Sequence, residues 1–150
     1  MGVSLTELFG RLLGIGHSFQ LVSNDIDITH KCADVTMTVA AESPTNTIAV
    51  ACQFKKADGS DMDEVVHAEL FVFADAAGLA AATTGGSTGI AAGTDGALIS
   101  TLVAKKHFVV SSEADGDLDL TFTDTATEEV YLGIRLPSGR MVFSTVIQMA

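Results

Sequence analysis

Asp117-Leu118-Asp119-Leu120-Thr121-Phe122-Thr123 alternates without a break, with Leu118, Leu120 and Phe122 set against two aspartates and two threonines. Successive side chains of a β-strand point to opposite faces, so this period of two predicts a half-buried strand. The apolar three face a core, and the acids and threonines face water. Asp115-Gly116, just ahead of it, is a turn signal.

Working outward, the same period recurs between turn signals. Thr45 to Lys55 is a strand with Ile48, Val50, Cys52 and Phe54 on its apolar face, ended by the turn Ala57-Asp58-Gly59-Ser60. Val66 to Phe73 is apolar on both faces at Leu70-Phe71-Val72-Phe73, which predicts a central strand. Leu98 to Val103 and His107 to Ser111 follow. Val130, Leu132, Ile134 and Leu136 mark the next strand, with Tyr131 on its outward side, and Pro137-Ser138-Gly139 turns it into Arg140 to Gln148. Seven strands in about a hundred residues is the size of an immunoglobulin-like antiparallel β-sandwich, so the fold expected is all-β.

Two segments depart from this rhythm. Residues 4 to 15 read as a short amphipathic helix: Ser4-Leu5-Thr6-Glu7 fits a capping box, and Leu5, Leu8, Phe9, Leu12 and Leu13 recur at helical spacing. So short a helix is unstable alone, so its apolar stripe needs a cover, either its own domain or a neighbouring subunit. Asp25 to Thr29 and Asp34 to Ala40 are short strand candidates, and Glu42-Ser43-Pro44 then breaks the pattern. The division expected is a helix-bearing arm over residues 1–44, serving for docking, and a sandwich over 45–150. The second departure is Ala76 to Ala97, almost wholly Ala, Gly and Thr with Asp95 its only charge, which reads as a long extended loop.

The last strand is apolar on both faces, with Met141, Phe143 and Ile147 on one and Val142 and Val146 on the other. It lies either inside the sheet or at an edge that a subunit neighbour covers. Met141 and Phe143, with the helix stripe, are the candidate partner-binding residues.

Of 150 residues, 19 are acidic and 8 are Lys or Arg, a formal net charge of -11. Phosphate binding needs clustered Lys and Arg, so nucleic acid is excluded as a partner, and anionic membranes are disfavoured for the same reason. The longest apolar stretches fall well short of the ~20 residues that span a bilayer. Met1-Gly2 with Thr6 matches a myristoylation pattern only formally, and the N-terminus lacks the basic region and cleavage site of a secretory signal. Cys32 and Cys52 are too few for a disulfide framework and read as structural.

Motifs for chemistry are thin. Gly85-Gly86-Ser87-Thr88-Gly89 matches G-x-S-x-G, but a nucleophile elbow requires a helix next, and Ile90 to Gly96 is too rich in glycine for one. Asp58, Asp61, Asp63 and Glu64 surround one turn. Asp115, Asp117 and Asp119 alternate along a strand, which sets carboxylates in a row on a solvated face instead of around one calcium ion. His17, His30, His67 and His107 have no zinc-binding spacing. The expectation is a protein that is not an enzyme and uses no cofactor.

The stretch from Ile48 to Ile147, about two thirds of the chain, resembles a family of immunoglobulin-like virion proteins of tailed bacteriophages. Four patterns carry it: AVACQFKKADGSDM, AELFVFADAAG, the Ala/Gly/Thr tract running into GTDGALISTLVAKKHFVV, and SSEADGDLDLTFTDTATEEVYLGIRLPSGRMVF. The last resembles the Asp-x-Asp-Gly, alternating strand, short turn, Tyr, strand layout of phage and bacterial immunoglobulin-like repeats, with Glu113-Ala114-Asp115-Gly116 in the place of the first part and Tyr131 in the place of the tyrosine. The resemblance implies a structural virion protein made in the host cytoplasm, most simply a capsid decoration protein on the outer head, bound to the major capsid protein lattice. It also implies a homo-oligomer, with a trimer matching the local three-fold positions of an icosahedral shell. The alternative it leaves is a phage tail or adhesion module that binds a cell-surface glycan or protein.

Overall fold

The computed structural model describes residues 31–149. These residues form nine strands: β1 (Cys32–Val39), β2 (Thr47–Lys56), β3 (His67–Phe73), β4 (Gly89–Ala92), β5 (Ala97–Val103), β6 (His107–Ser111), β7 (Asp117–Thr123), β8 (Tyr131–Arg135) and β9 (Met141–Phe143). They pair into a four-stranded sheet, β1-β2-β7-β4, and a five-stranded sheet, β5-β6-β3-β8-β9. Every pairing is antiparallel. The described residues are therefore all-β and sandwich-like, with no helix among them. The helix expected over residues 4–15, the strand candidate at 25–29 and the stripe Leu5, Leu8, Phe9, Leu12 and Leu13 lie outside the described residues.

Alternation builds the core. Ile48, Val50, Cys52 and Phe54 of β2 and Leu118, Leu120 and Phe122 of β7 are buried side by side, since Val50 pairs with Leu120 and Ile48 with Phe122. Leu70 and Val72 of β3 and Leu132 and Ile134 of β8 close the same core from the second sheet. β3 is the middle strand of its sheet, as its two-sided apolar pattern predicts. Hydrophobic burial on two facing inner surfaces is what holds such layers together.

Three expectations change. The first concerns Glu42-Ser43-Pro44, which lies in the connection between two hydrogen-bonded strands. β1 pairs with β2 from Cys32↔Lys56 to Val39↔Val50, and Val35 is buried in the common core. The Glu42 carboxylate accepts the Asn46 N–H within that connection. The sandwich thus includes residues from Cys32, ahead of the division drawn at residue 44.

The second concerns Ala76 to Ala97, which is not one extended loop. Gly89–Ala92 forms β4 against β7, with Ile90 buried opposite Phe122. Small residues make this possible: a Cβ on Gly86 would stand 2.7 Å from the Thr123 carbonyl oxygen and 2.9 Å from the Phe122 ring. Gly86 also adopts φ +85°, which side chains resist. Close backbone approach takes the place of side-chain volume.

The third concerns the last strand, which lies at the edge of its sheet and is interrupted. β9 ends at Phe143, and only an isolated bridge, Val130↔Ile147, resumes the pairing. At the break Ser144 gives its N–H to Leu132 O (2.9 Å), and its hydroxyl oxygen accepts the Leu132 N–H (3.0 Å). The interruption shifts the alternation by one. Val142 packs inward, Met141 and Phe143 face out, and Ile147 is fully buried instead of sharing their face.

Candidate interaction surface

The outer faces of the two sheets are built from different residues. On the four-stranded sheet, register sets Thr36–Gln53–Asp117, Thr38–Ala51–Asp119 and Ala49–Thr121–Ala91 in successive rows. These are small or polar side chains suited to water. On the five-stranded sheet one row runs Val103–His107–Phe71–Gly133–Phe143, and its neighbour runs Ser100–Val109–Glu69–Arg135–Met141. Phe73 pairs with Tyr131 beside them.

The aromatic row is packed, not scattered. The Phe71 and His107 rings stack with centroids 4.1 Å apart, Phe71 and Phe73 lie 5.9 Å apart, and Phe73 and Phe143 meet tilted at 5.7 Å. Such pairs add about 0.5–1.5 kcal/mol beyond the area they bury. Gly133 leaves the room, since a Cβ there would stand 2.6 Å from the Phe73 ring. Glu69 stands on the row's flank, 3.3 Å from Arg135 and 3.9 Å from His107 Nε2.

A turn projects beside this row. The Asp75 carboxylate accepts the N–H groups of Ala77 (2.8 Å), Leu79 (3.2 Å) and Ala80 (2.7 Å). The Leu79 N–H does most to hold the Asp75 carboxyl below its usual range; burial opposes it, and Ala80, Ala77 and Gly78 add to it. Gly78 lies against the Phe143 and Phe73 rings, and the next residue, Leu79, is 88% exposed. An apolar side chain is thus held out in water by a built turn, next to an aromatic face.

The remaining small-residue segment is pinned from outside. The Glu128 carboxylate accepts the Thr83 and Thr84 N–H groups and the Thr84 hydroxyl. Burial alone would raise this carboxyl; the hydrogen bonds from Thr84, Thr83 and Gly86 outweigh it and hold it low. Asp124, itself buried, accepts from Ser87 N (2.9 Å) and Ala126 N (3.1 Å). Lys105 Nζ donates to the Gly86 and Ser87 carbonyls and Lys106 Nζ to the Thr83 carbonyl. Ser87 receives the Thr125 N–H on its hydroxyl and is followed by strand β4, not by the helix of a nucleophile elbow.

The acid clusters of the sequence disperse. Asp61 and Asp63 are paired with Lys55 and Lys56. Asp58 caps its own turn through Ser60. Glu113, Asp124 and Glu128 are spent on backbone N–H groups. Among the described residues no three His, Cys, Asp or Glu side chains converge on a point that could hold a metal ion. Nor is any helix among them long and apolar enough to cross a membrane. Cys32 and Cys52 are free thiols; burial first, then Asp117 and Asp119, push Cys52 up to about 12.

Of the candidate partner residues, the structure places Met141 and Phe143 together on the outer face of the five-stranded sheet, half-buried among Gly133, Phe73 and Gly78. Sequence reading did not single out Phe71, Phe73, His107 or Leu79 as their neighbours. The two-sided pattern at Leu70-Phe71-Val72-Phe73 was the available signal, since the outward half of it is this row. Comparison with protein-family models, with curated proteins and with solved structures finds no match to this chain.

Proposed function

We propose that this chain is a structural, non-enzymatic virion protein of a tailed bacteriophage, a decoration protein that binds the major capsid protein lattice on the outer head. The observation that carries the reading is the aromatic row Phe71, Phe73, Phe143 and His107, with Leu79 projecting beside it. A contact face of this kind, an apolar centre with the charged pair Glu69–Arg135 on its flank, has the make-up of a protein–protein interface. The opposite face, with Asp117 and Asp119 among threonines, stays in water. A net charge of -11 keeps the molecule away from packaged DNA and on the exterior.

The strand neighbours support an immunoglobulin-like reading. In this reading β1-β2-β7-β4 would correspond to one sheet of a variable-type immunoglobulin sandwich and β5-β6-β3-β8-β9 to the other. The route differs, because the chain fills the edge position at β4 before it lays down β5 and β6. The apolar stripe at Leu5, Leu8, Phe9, Leu12 and Leu13 supplies a second docking element ahead of β1.

The test is binding of the purified protein to expanded, emptied heads of the phage that encodes it. Saturable binding and a raised melting temperature of the heads are expected. Leu79→Asp, a change at an exposed residue, weakens binding about tenfold or more while leaving the protein's own melting unchanged. Absence of head binding overturns the reading. Immunogold label on the tail instead of the head moves the assignment to the tail or adhesion alternative.

A further inference from the structure

We infer that the β5 edge of the five-stranded sheet is a seam between two copies of this chain, set antiparallel about a two-fold axis. This seam meets the aromatic face at Val103 and does not rest on the virion reading.

The two sheets have four edge strands among the described residues. An edge strand is a template for association unless it is short, charged, covered or bent by bulges. β4 has four residues and β9 three. β1 carries Asp34, paired with Arg140 at 3.3 Å, and the same guanidinium donates to the Ala33 carbonyl at 3.1 Å. β5 is different: it has seven residues, ALISTLV, none of them charged. Ile99, Leu102 and Val103 are 58%, 52% and 51% exposed. Its pairing with β6 slips between Leu98 and Ser100 and again between Thr101 and Val103; this bends the backbone edge, so what β5 offers a neighbour is the side chains of Ile99 and Leu102, which stand out of the ladder. One exposed aliphatic residue is ordinary, but three within five residues of one edge make a patch.

Charge at the two ends of β5 specifies the occupant. At the Ala97 end lie Asp95 and the Glu113 carboxylate, which accepts the Gly96 N–H. Beyond the Val103 end lie Lys105 and Lys106, whose ammonium groups bond only uncharged carbonyl oxygens in the contacts above. Antiparallel pairing of β5 with a second β5 brings each acidic end against the basic end of its mate, twice over. Parallel pairing would set acid on acid and lysine on lysine. Elsewhere the two copies repel through their net negative charge, which salt screens beyond about 8 Å. The strand therefore carries its own complement, and a second copy is the partner it fits.

The test is sedimentation equilibrium of the full chain, with Ile99→Lys/Leu102→Lys as the variant. The expected result is a dimer for the parent and a dissociation constant raised about a hundredfold or more in the variant, because four lysines would meet in the seam. Both positions are exposed, so an unchanged far-UV spectrum and melting profile of the dilute variant check that it folds. If that variant misfolds, Ile99→Ser/Leu102→Ser serves in its place, with a rise of about tenfold expected. A monomeric parent, a trimeric parent, or a dimer that survives the folded variant overturns the proposal.

Discussion

The two sheets present equivalent faces to each other and opposite faces to the outside. Inward, each contributes aliphatic and aromatic side chains at every second position. Outward, the four-stranded sheet shows threonine, alanine and aspartate, and the five-stranded sheet shows a packed row of rings. The inward likeness follows from folding, since neither sheet is stable without cover for its apolar side. The outward difference is not required to cover the core: the threonine face lies in water, while the rings pack on one another, and it is on this surplus of apolar surface that the proposed partner contact rests.

Three measurements test how far that contrast goes. The largest effects belong to the shared interior: Leu70→Ala should cost about 2–5 kcal/mol and Phe122→Ala about 3–5 kcal/mol by urea unfolding. Comparable losses from the two sheets would confirm one cooperative core, whereas a variant in which only one sheet melts would break it into two. Next comes the outer surface. Gly133→Ala pushes a methyl against the Phe73 ring and should cost about 1–3 kcal/mol. Thr121→Ala, its counterpart on the other sheet, should stay within about 0.5 kcal/mol. Equal effects would mean that the rings are no better packed than the threonines.

The smallest effect is a pH dependence that originates in the four-stranded sheet, at Cys52. Cys52 is buried with Asp117 and Asp119 nearby, and its thiol is pushed from 9.0 up to about 12. An unfolded chain ionises this thiol above pH 9.0 while the folded chain keeps its proton. Stability from this group is complete below that pH and falls as pH rises toward 12, with a slope of at most about 1.4 kcal/mol per pH unit. Unfolding titrations at about pH 8 and about pH 10 should show the decline in the parent and a smaller one in Cys52→Ala. Identical declines would remove the thiol as its source.

The alternating strands were legible because burial on one face writes itself directly into a period of two. Val50, Cys52, Leu118, Leu120, Leu132 and Ile134 are all core residues and all fall on that period. β4 left no such trace: Gly89-Ile90-Ala91-Ala92 is held by its ladder with β7, reached through the close approach of Gly86 to Phe122, and small residues carry no periodicity. The slip after Phe143 was equally hidden, because the polar residues Ser144 and Thr145 fall one on each face of the expected strand and so do not mark a change of register. Met141 and Phe143 could be picked out as an apolar surplus on a terminal strand. Their union with Phe71 and His107 could not, since cross-strand register joins residues from three distant stretches of chain.

The order in which the chain lays down its strands has a consequence for how the protein comes into being. After β2 the chain crosses to the other sheet, returns for β4, leaves again for β5 and β6, and comes back for β7. β2 therefore waits for β7, with Thr47 finally meeting Thr123, and β3 waits for β8, with Glu69 meeting Arg135. During synthesis the apolar edge of β2 stays unpaired until β7 emerges, so neither sheet can mature ahead of the other. Closing such long loops before any reward arrives makes for slow folding, in which the arrival of β7 and β8 is the committing event. A cell making this protein in quantity must carry each nascent chain through that interval with its future core still exposed to other chains.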